Sequence, residues 1–213
     1  MRIDVWSDLV CPWCYIGKRR LEHALAGFPD AGGVEIVHRS FQLNPSAPAE
    51  TTSRRRDYLM AKYGWSADKA AEIDTAMERR AEADGLEYHL SENGLTGNTF
   101  DAHRLVHLAR DRGLQDQAVE RLFRAYFTEQ RSLFDRDSLA ALAVDVGLDA
   151  ADVRRVLAGD EYAGAVRADV DEARALGVSG VPFFVFDRRL ALSGAQPVEV
   201  FVDALAQAAG QKS

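Results

Sequence analysis

The two cysteines of this chain stand at positions 11 and 14, Cys11-Pro12-Trp13-Cys14, where a β-like run meets a helical one. Ile3, Val5 and Trp6 precede the motif; after it, Tyr15 through Leu25 carries apolar residues at 21 and 25 with basic residues between. Two thiols separated by two residues can close a disulfide across one helical turn. At the first turn of a helix, unpaired backbone N–H groups favour the thiolate over the thiol. A C-x-x-C pair between a strand and a helix therefore predicts redox chemistry. Two other uses stay open at this point. A zinc site wants a full tetrahedral ligand set, but there is no second cysteine pair, and His103 and His107 do not complete a known ligand spacing. The other use is a pair of structural thiols buried as small apolar residues.

The rest of the chain frames this motif. Residues 2–7 read as a strand and 12–27 as a helix stopping near Gly27 and Pro29. Gly32-Gly33 then turns the chain into Val34 through Phe41, a second strand parallel to the first, so the pair makes a right-handed β-α-β unit. Past Asn44-Pro45-Ser46-Ala47-Pro48 the spacing is helical from about 52 to 176 with almost no strand signal. Segments 52–63 and 66–84 are largely charged, and the run Arg54-Arg55-Arg56 reads as a solvated helix face. Residues 85–98 read as a loop, with Glu87-Tyr88-His89 a candidate extended stretch. Apolar residues at helical spacing follow at Ala102, Leu105, Val106 and Ala109, at Val119, Leu122, Phe123 and Tyr126, and at Leu139, Leu142, Ala143 and Val146. Asp149 caps a short helix, and a last helix runs from about 160 to Gly177.

Strand character returns at Val181-Pro182-Phe183-Phe184-Val185-Phe186, an apolar run suited to burial on both faces. Asp187-Arg188-Arg189 turns it into Leu190-Ala191-Leu192. A helix opening near Pro197 buries Val198, Phe201, Val202 and Leu205, and Ala208 through Ser213 frays. The order β-α-β, helices, β-β-α predicts an α/β sandwich: a mixed sheet with helices on both faces. Proline at the start of a central strand is odd, because it cannot donate to a ladder. A cis Val181–Pro182 bond accounts for it, with the backbone of Val181 turned outward beside Cys11 toward an extended substrate segment. An ordinary trans proline at a strand start is the alternative.

A length of 213 residues suits one domain carrying an insertion. The net charge of −7 argues against nucleic acid as the main partner. No apolar stretch approaches the ~20 residues of a membrane span. Met1-Arg2-Ile3-Asp4 enters the first strand at once, leaving no room for a signal peptide. The expected compartment is the cytoplasm, where a cysteine pair is more often catalytic than structural.

Cys11-Pro12-Trp13-Cys14 after a short strand, the long helical insertion, Gly180-Val181-Pro182 and Ser193-Gly194-Ala195-Gln196 together resemble the DsbA-like thiol oxidoreductases. The match is closest to the cytoplasmic FrnE-like branch, whose members are linked to polyketide biosynthesis and disulfide exchange. The resemblance covers almost the whole chain. It implies a thioredoxin-like sandwich with a mixed sheet, built discontinuously from residues 1–48 and 177–213, with an inserted all-helical domain at 49–176. By position, Cys11 is then the exposed nucleophile, Cys14 the resolving thiol and Pro182 the cis-proline facing them. Pro12, Trp13 and Val181, with Asn98 and His103 from the helical domain, contact substrate. His103 reads more readily as an ordinary helix-surface or packed histidine.

One departure stands out. The family often buries an acid six residues before the first cysteine, where this chain has Val5, with Asp4 and Asp8 to either side. A related branch resembles 2-hydroxychromene-2-carboxylate isomerase, generally with serine at the position of Cys11; a non-catalytic binding or chaperone module is a third reading. Retention of both cysteines favours redox work on a thiol- or disulfide-containing protein, peptide or small molecule. The expectation is no cofactor and no metal beyond the Cys11–Cys14 pair, with glutathione or another low-molecular-weight thiol as a candidate co-substrate.

Overall fold

Alternation along the first strand sorts the sheet into two differently built faces. The computed structural model describes residues 1–49, 52–90 and 94–210. Strand β1 (Arg2–Ser7) leads into helix α1 (Pro12–Ala26), a 3-10 turn at Ala31–Gly33 and strand β2 (Glu35–Ser40). After a long helical stretch come helix α8 (Ala163–Ala175), strands β5 (Phe183–Phe186) and β6 (Leu190–Ser193), and helix α9 (Val198–Gly210). The sheet order is β2-β1-β5-β6: β2 runs parallel to β1, while β5 is antiparallel to both β1 and β6. This is a mixed sheet of the thioredoxin type.

Ile3 and Val5 point to one face, where they meet Leu21 and Ala24 of α1, Phe184 and Phe186 of β5, and Phe201 and Leu205 of α9. Each large apolar side chain buried there contributes about 1.5–3 kcal/mol. Asp4 and Trp6 point the other way. Trp6 packs with Ala173, Val178 and Val185, and its Nε1–H donates to the Asp169 carbonyl at 2.9 Å. Around it lies a buried ionic cluster. Arg39 donates to Asp4 and to Asp169, each at 2.8 Å, and the Ser40 N–H donates to Asp169 Oδ2 at 2.9 Å. Because Asp169 sits on α8, these bonds tie α8 to the sheet.

The chain accordingly divides into two compact units, Met1–Leu43 with Gly164–Ser213, and Asn44–Ala163. The division falls at 163/164 instead of the expected 176/177, because α8 offers the sheet both Ala173 and Asp169. Helix α9 also departs from expectation. Val202 is 47% exposed, and the buried stripe is Phe201, Ala204, Leu205 and Ala208, so Ala208 is packed instead of frayed. Small alanines at i+3 and i+7 let the helix lie close to the sheet. Residues 211–213 of the expected frayed end lie outside the described residues.

In the second unit, strand β3 (Ser53–Arg54) and strand β4 (Leu95–Thr96) form a short antiparallel ladder that the expectation of almost no strand overlooked. Helices α2 (Arg55–Tyr63), α3 (Ala67–Ala83), α4 (Phe100–Asp111), α5 (Gln115–Phe127), α6 (Arg136–Asp145) and α7 (Ala150–Ala158) make up the rest. The predicted stripes on α4 to α6 are largely buried, and Asp149 caps α7 by accepting from Ala151 N at 2.8 Å and Asp152 N at 3.0 Å. Glu87-Tyr88-His89 is not a strand: Tyr88 stacks on Phe127 with centroids 4.6 Å apart, and His89 N–H donates to the Phe127 carbonyl. Nor is the arginine run simply solvated. Arg55 and Arg56 both pair with the buried carboxylate of Asp74, at 2.8 and 3.1 Å, leaving Arg54 outward. Among the described residues no helix is long and apolar enough to cross a membrane.

Burial works to raise the pKa of Asp4, but hydrogen bonds from Arg2 and Arg39 outweigh it and hold the carboxyl below its ordinary 3.8. With the folded value depressed, this group stabilises the fold above the ordinary carboxylate range, and the contribution is lost as pH falls through the depressed value. Asp4→Asn is expected to cost about 1–3 kcal/mol near neutrality, since Arg2 is partly solvated. The difference from wild type in urea titrations should shrink as pH falls below the ordinary carboxylate range; a difference that stays constant into strong acid contradicts it.

Candidate active site

Strand β1 ends at Ser7, and the next residues form a tight turn. The Cys11 N–H donates to the Asp8 carbonyl at 3.0 Å, and Cys14 N–H donates to the Cys11 carbonyl, also at 3.0 Å. Leu9 anchors this turn in the interior. Cys11 is the N-cap of α1, with extended backbone at φ −89° and ψ 113°, and Pro12 occupies the first helical position, where its missing N–H costs nothing. The Cys11 sulfur does not cap its own helix. It lies 3.6 Å from the carbonyl oxygen of Val181, to which the thiol donates.

Both cysteines are free thiols, and both are buried: Cys11 is 4% exposed and Cys14 2%. The expectation of an exposed nucleophile is thus corrected. Between them Trp13 is 37% exposed and Pro12 partly so. Cys14 is held as a thiol. Burial pushes its pKa well above the ordinary 9.0, and a hydrogen bond and charge from Cys11 push the same way, while a hydrogen bond from the Asp8 backbone opposes them.

The Val181–Pro182 peptide is cis. The Pro182 carbonyl accepts from Gly194 N–H at 2.8 Å, and Gly194 takes φ +81°, a conformation glycine adopts freely. Gln196 Nε2 donates back to the Ser193 carbonyl at 2.7 Å, and Arg20 reaches from α1 to the Ala195 carbonyl at 2.8 Å. The Ser193-Gly194-Ala195-Gln196 tetrad, which the sequence offered only as a family marker, is therefore the brace behind Pro182.

Gly17 was missed altogether. A Cβ at this position would stand 2.9 Å from Pro182 Cγ and 3.1 Å from Phe184 Cζ, so α1 can lie against the proline only if residue 17 has no side chain. A glycine inside a helix, three positions past Cys14, was the available signal.

The first unit thus brings together Cys11, Cys14, Pro12, Trp13, Val181 and Pro182. Asn98 and His103 belong to the second. There Asn98 Nδ2 donates to the Ala47 carbonyl at 2.7 Å and its Oδ1 accepts from Phe100 N at 2.9 Å, which orders the start of α4; His103 is buried one turn into that helix. Among the described residues no group of three or more His, Cys, Asp or Glu side chains is placed to hold a metal.

A mixed sheet whose first strand delivers a Cys-x-x-Cys pair to a helix N-terminus, opposite a proline that opens a neighbouring strand, defines a thioredoxin-type thiol–disulfide oxidoreductase. Residues 2–206 match the DSBA-like thioredoxin domain, and the chain belongs to that family. It is 48% identical to the probable DsbA oxidoreductase SCO1869 from Streptomyces coelicolor and superposes on that crystal structure with a TM-score of 0.96, covering 100% of this chain and 92% of the other. The uncharacterized protein YwbO of Bacillus subtilis (strain 168) is 29% identical over 206 residues, 96% of each chain. The fold is also that of the cytosolic disulfide reductase DsbM from Pseudomonas aeruginosa, one structure of which is with GSH, at a TM-score of 0.66, 17% identity, and 97% and 98% coverage.

Alanine in place of glycine inside a helix ordinarily stabilises by up to about 1 kcal/mol. Gly17→Ala is expected to reverse that sign and destabilise by about 1–3 kcal/mol through overpacking against Pro182. A denaturant midpoint equal to or above wild type would show that α1 does not press on the proline.

Proposed function

We propose that the protein exchanges dithiols and disulfides through Cys11 and Cys14, with Cys11 forming the bond to the partner. The observation that carries this reading is the unequal placement of the two sulfurs. Cys11 stands at the N-cap position with its sulfur beside the Val181 carbonyl, whereas Cys14 sits a turn inside the helix with its proton held by burial.

In the reducing direction the Cys11 thiolate attacks one sulfur of a partner disulfide. That S–S bond breaks, and the departing sulfur leaves as a thiolate that takes up a proton. Cys14, once deprotonated, attacks the Cys11 sulfur of the mixed disulfide, releasing the second partner sulfur and closing Cys11–Cys14. Two electrons have passed from the protein to the partner. The oxidising direction is the same sequence run backward. Pro182 faces the pair, Val181 offers its backbone to an extended partner segment, and Pro12 and the exposed Trp13 form the docking rim.

The partner is a thiol- or disulfide-bearing protein, peptide or small molecule, with glutathione a candidate co-substrate. A protein of the same fold, DsbM, described as a cytosolic disulfide reductase, has been solved with GSH, which supports the glutathione reading and a cytoplasmic placement. On the resemblance, Asn98 and His103 are candidate substrate contacts. The two hydrogen bonds Asn98 makes beside α4 support a structural share in its role.

Cys14→Ser is expected to accumulate a mixed disulfide on Cys11 when the reduced protein meets a small disulfide, visible as a mass adduct that excess thiol removes. Cys11→Ser should form no adduct and lose turnover entirely. Full turnover in Cys11→Ser would point to the isomerase-like chemistry instead.

A further inference from the structure

The second unit, which carries neither cysteine, holds a cavity of about 150 Å³. Part of its lining is aromatic. Tyr126 and Phe134 meet edge to face with centroids 6.1 Å apart, and the Tyr126 hydroxyl donates to the Leu95 carbonyl at 2.8 Å. Gly97 makes room for the Phe134 ring, since a Cβ there would stand 2.9 Å from Phe134 Cγ. Leu90 and Leu95 extend the apolar wall. An apolar space of about this volume accepts a single benzene ring.

The charged part of the lining is basic, although the chain as a whole carries a net charge of −7. Arg55, His89 and Arg131 line the cavity, and among the described residues no carboxylate does. Two of the three are firmly engaged. Arg55 donates to Asp74 at 2.8 Å, and His89 Nδ1–H donates to the Thr128 carbonyl at 2.7 Å with Nε2 3.0 Å from Glu87. Arg131 is held more loosely. It stands 3.5 Å from Asp145 Oδ2, longer than an ordinary N–H···O bond, and Arg121 reaches that same oxygen at 3.1 Å. The backbone beneath it is nonetheless fixed: Gln130 takes φ +55°, and Arg131 N–H donates to the Ala125 carbonyl at 2.8 Å. Next to it, Ser132 Oγ accepts from Phe134 N–H at 3.1 Å, and a hydroxyl that accepts keeps its own proton to give.

We propose that this cavity binds a small aromatic carboxylate. The ring lies against Tyr126 and Phe134, and the carboxylate takes the guanidinium of Arg131 together with the Ser132 hydroxyl. A planar guanidinium meets a carboxylate through two parallel N–H···O bonds, which sets the orientation of the ligand as well as its charge. Phosphate would satisfy Arg131 equally but would leave the two leucines and both rings against water. A neutral ring would cover the apolar wall and give Arg131 no charge to meet. A few placed polar groups on a mainly apolar lining are the ordinary make-up of a small-molecule site. Binding here needs neither thiol.

Isothermal titration of the full-length protein with benzoate tests the site. Benzoate is expected to bind once per chain, with a dissociation constant on the order of 1 mM or tighter. Benzamide, the same ring without the charge, and inorganic phosphate, the charge without the ring, should each bind at least about tenfold more weakly. Arg131→Gln should weaken benzoate by about tenfold, as expected for losing one charge-assisted pair at a partly exposed position, and bring it level with benzamide. Arg131→Lys keeps the charge without the fork and should fall between. Arg154→Gln, on the exposed side of α7, should match wild type. Benzoate and benzamide binding alike, phosphate binding as tightly as benzoate, no saturable heat from benzoate by about 10 mM, or equal losses in Arg154→Gln and Arg131→Gln would overturn the assignment.

Discussion

The hydrogen bond from the Cys11 N–H to the Asp8 carbonyl closes the turn on which the site depends. It ends the extended backbone of β1 and sets the first residue of α1 in the same few atoms, so the strand fixes where the helix N-terminus points. Pro12 supports the same geometry from the other side, since its ring is preorganised for a first helical position and has no N–H to leave unsatisfied. The two sulfurs inherit different surroundings from this one turn. Cys11, still in extended conformation, is directed toward the Val181 carbonyl, while Cys14 is carried inward by the helix.

The surrounding sheet holds that turn by two kinds of packing. Under α1 and α9 it is mostly aromatic and aliphatic, with His38 of β2 on the same face, and close approach is regulated by the absence of a side chain at Gly17. On the opposite face a tryptophan is set among charged groups. Arg39 bridges two carboxylates from different elements, and Asp169 answers it while taking the Ser40 N–H and, through its carbonyl, the Trp6 indole. A cluster of this kind contributes less net stability than its contact distances imply, because each charge has been taken out of water. Its geometry is directional, however, and it fixes where α8 meets the sheet.

Much of the fold was legible in the sequence because period-2 and helical apolar patterns survive without tertiary context. β1, β2, the β5–β6 hairpin and most helices follow from them, as does the cysteine pair at the strand–helix junction. The misreadings share a cause: partners distant in sequence. Asp169 looks like a surface acid of α8 until Arg39, far back in the chain, is brought to it. Arg55 and Arg56 look solvated until Asp74 folds against them. Val202 fits a helical stripe as well as Ala204 does, and only packing against the sheet chooses between them. At the site, the cysteines and Pro182 announced themselves by residue type, whereas Gly17 owes its meaning to Pro182 and Phe184, neighbours no local pattern reveals.

The claim beneath all of this is that one turn makes two chemically unequal thiols. Site-resolved alkylation of the reduced protein across a pH series, read by mass spectrometry with a denatured control, tests it most directly. The account predicts label on Cys11 first at every pH, with Cys14 still unmodified above about pH 8.5, where an ordinary thiol ionises. Labelling of both cysteines at matching rates, or of Cys14 ahead of Cys11, would contradict it.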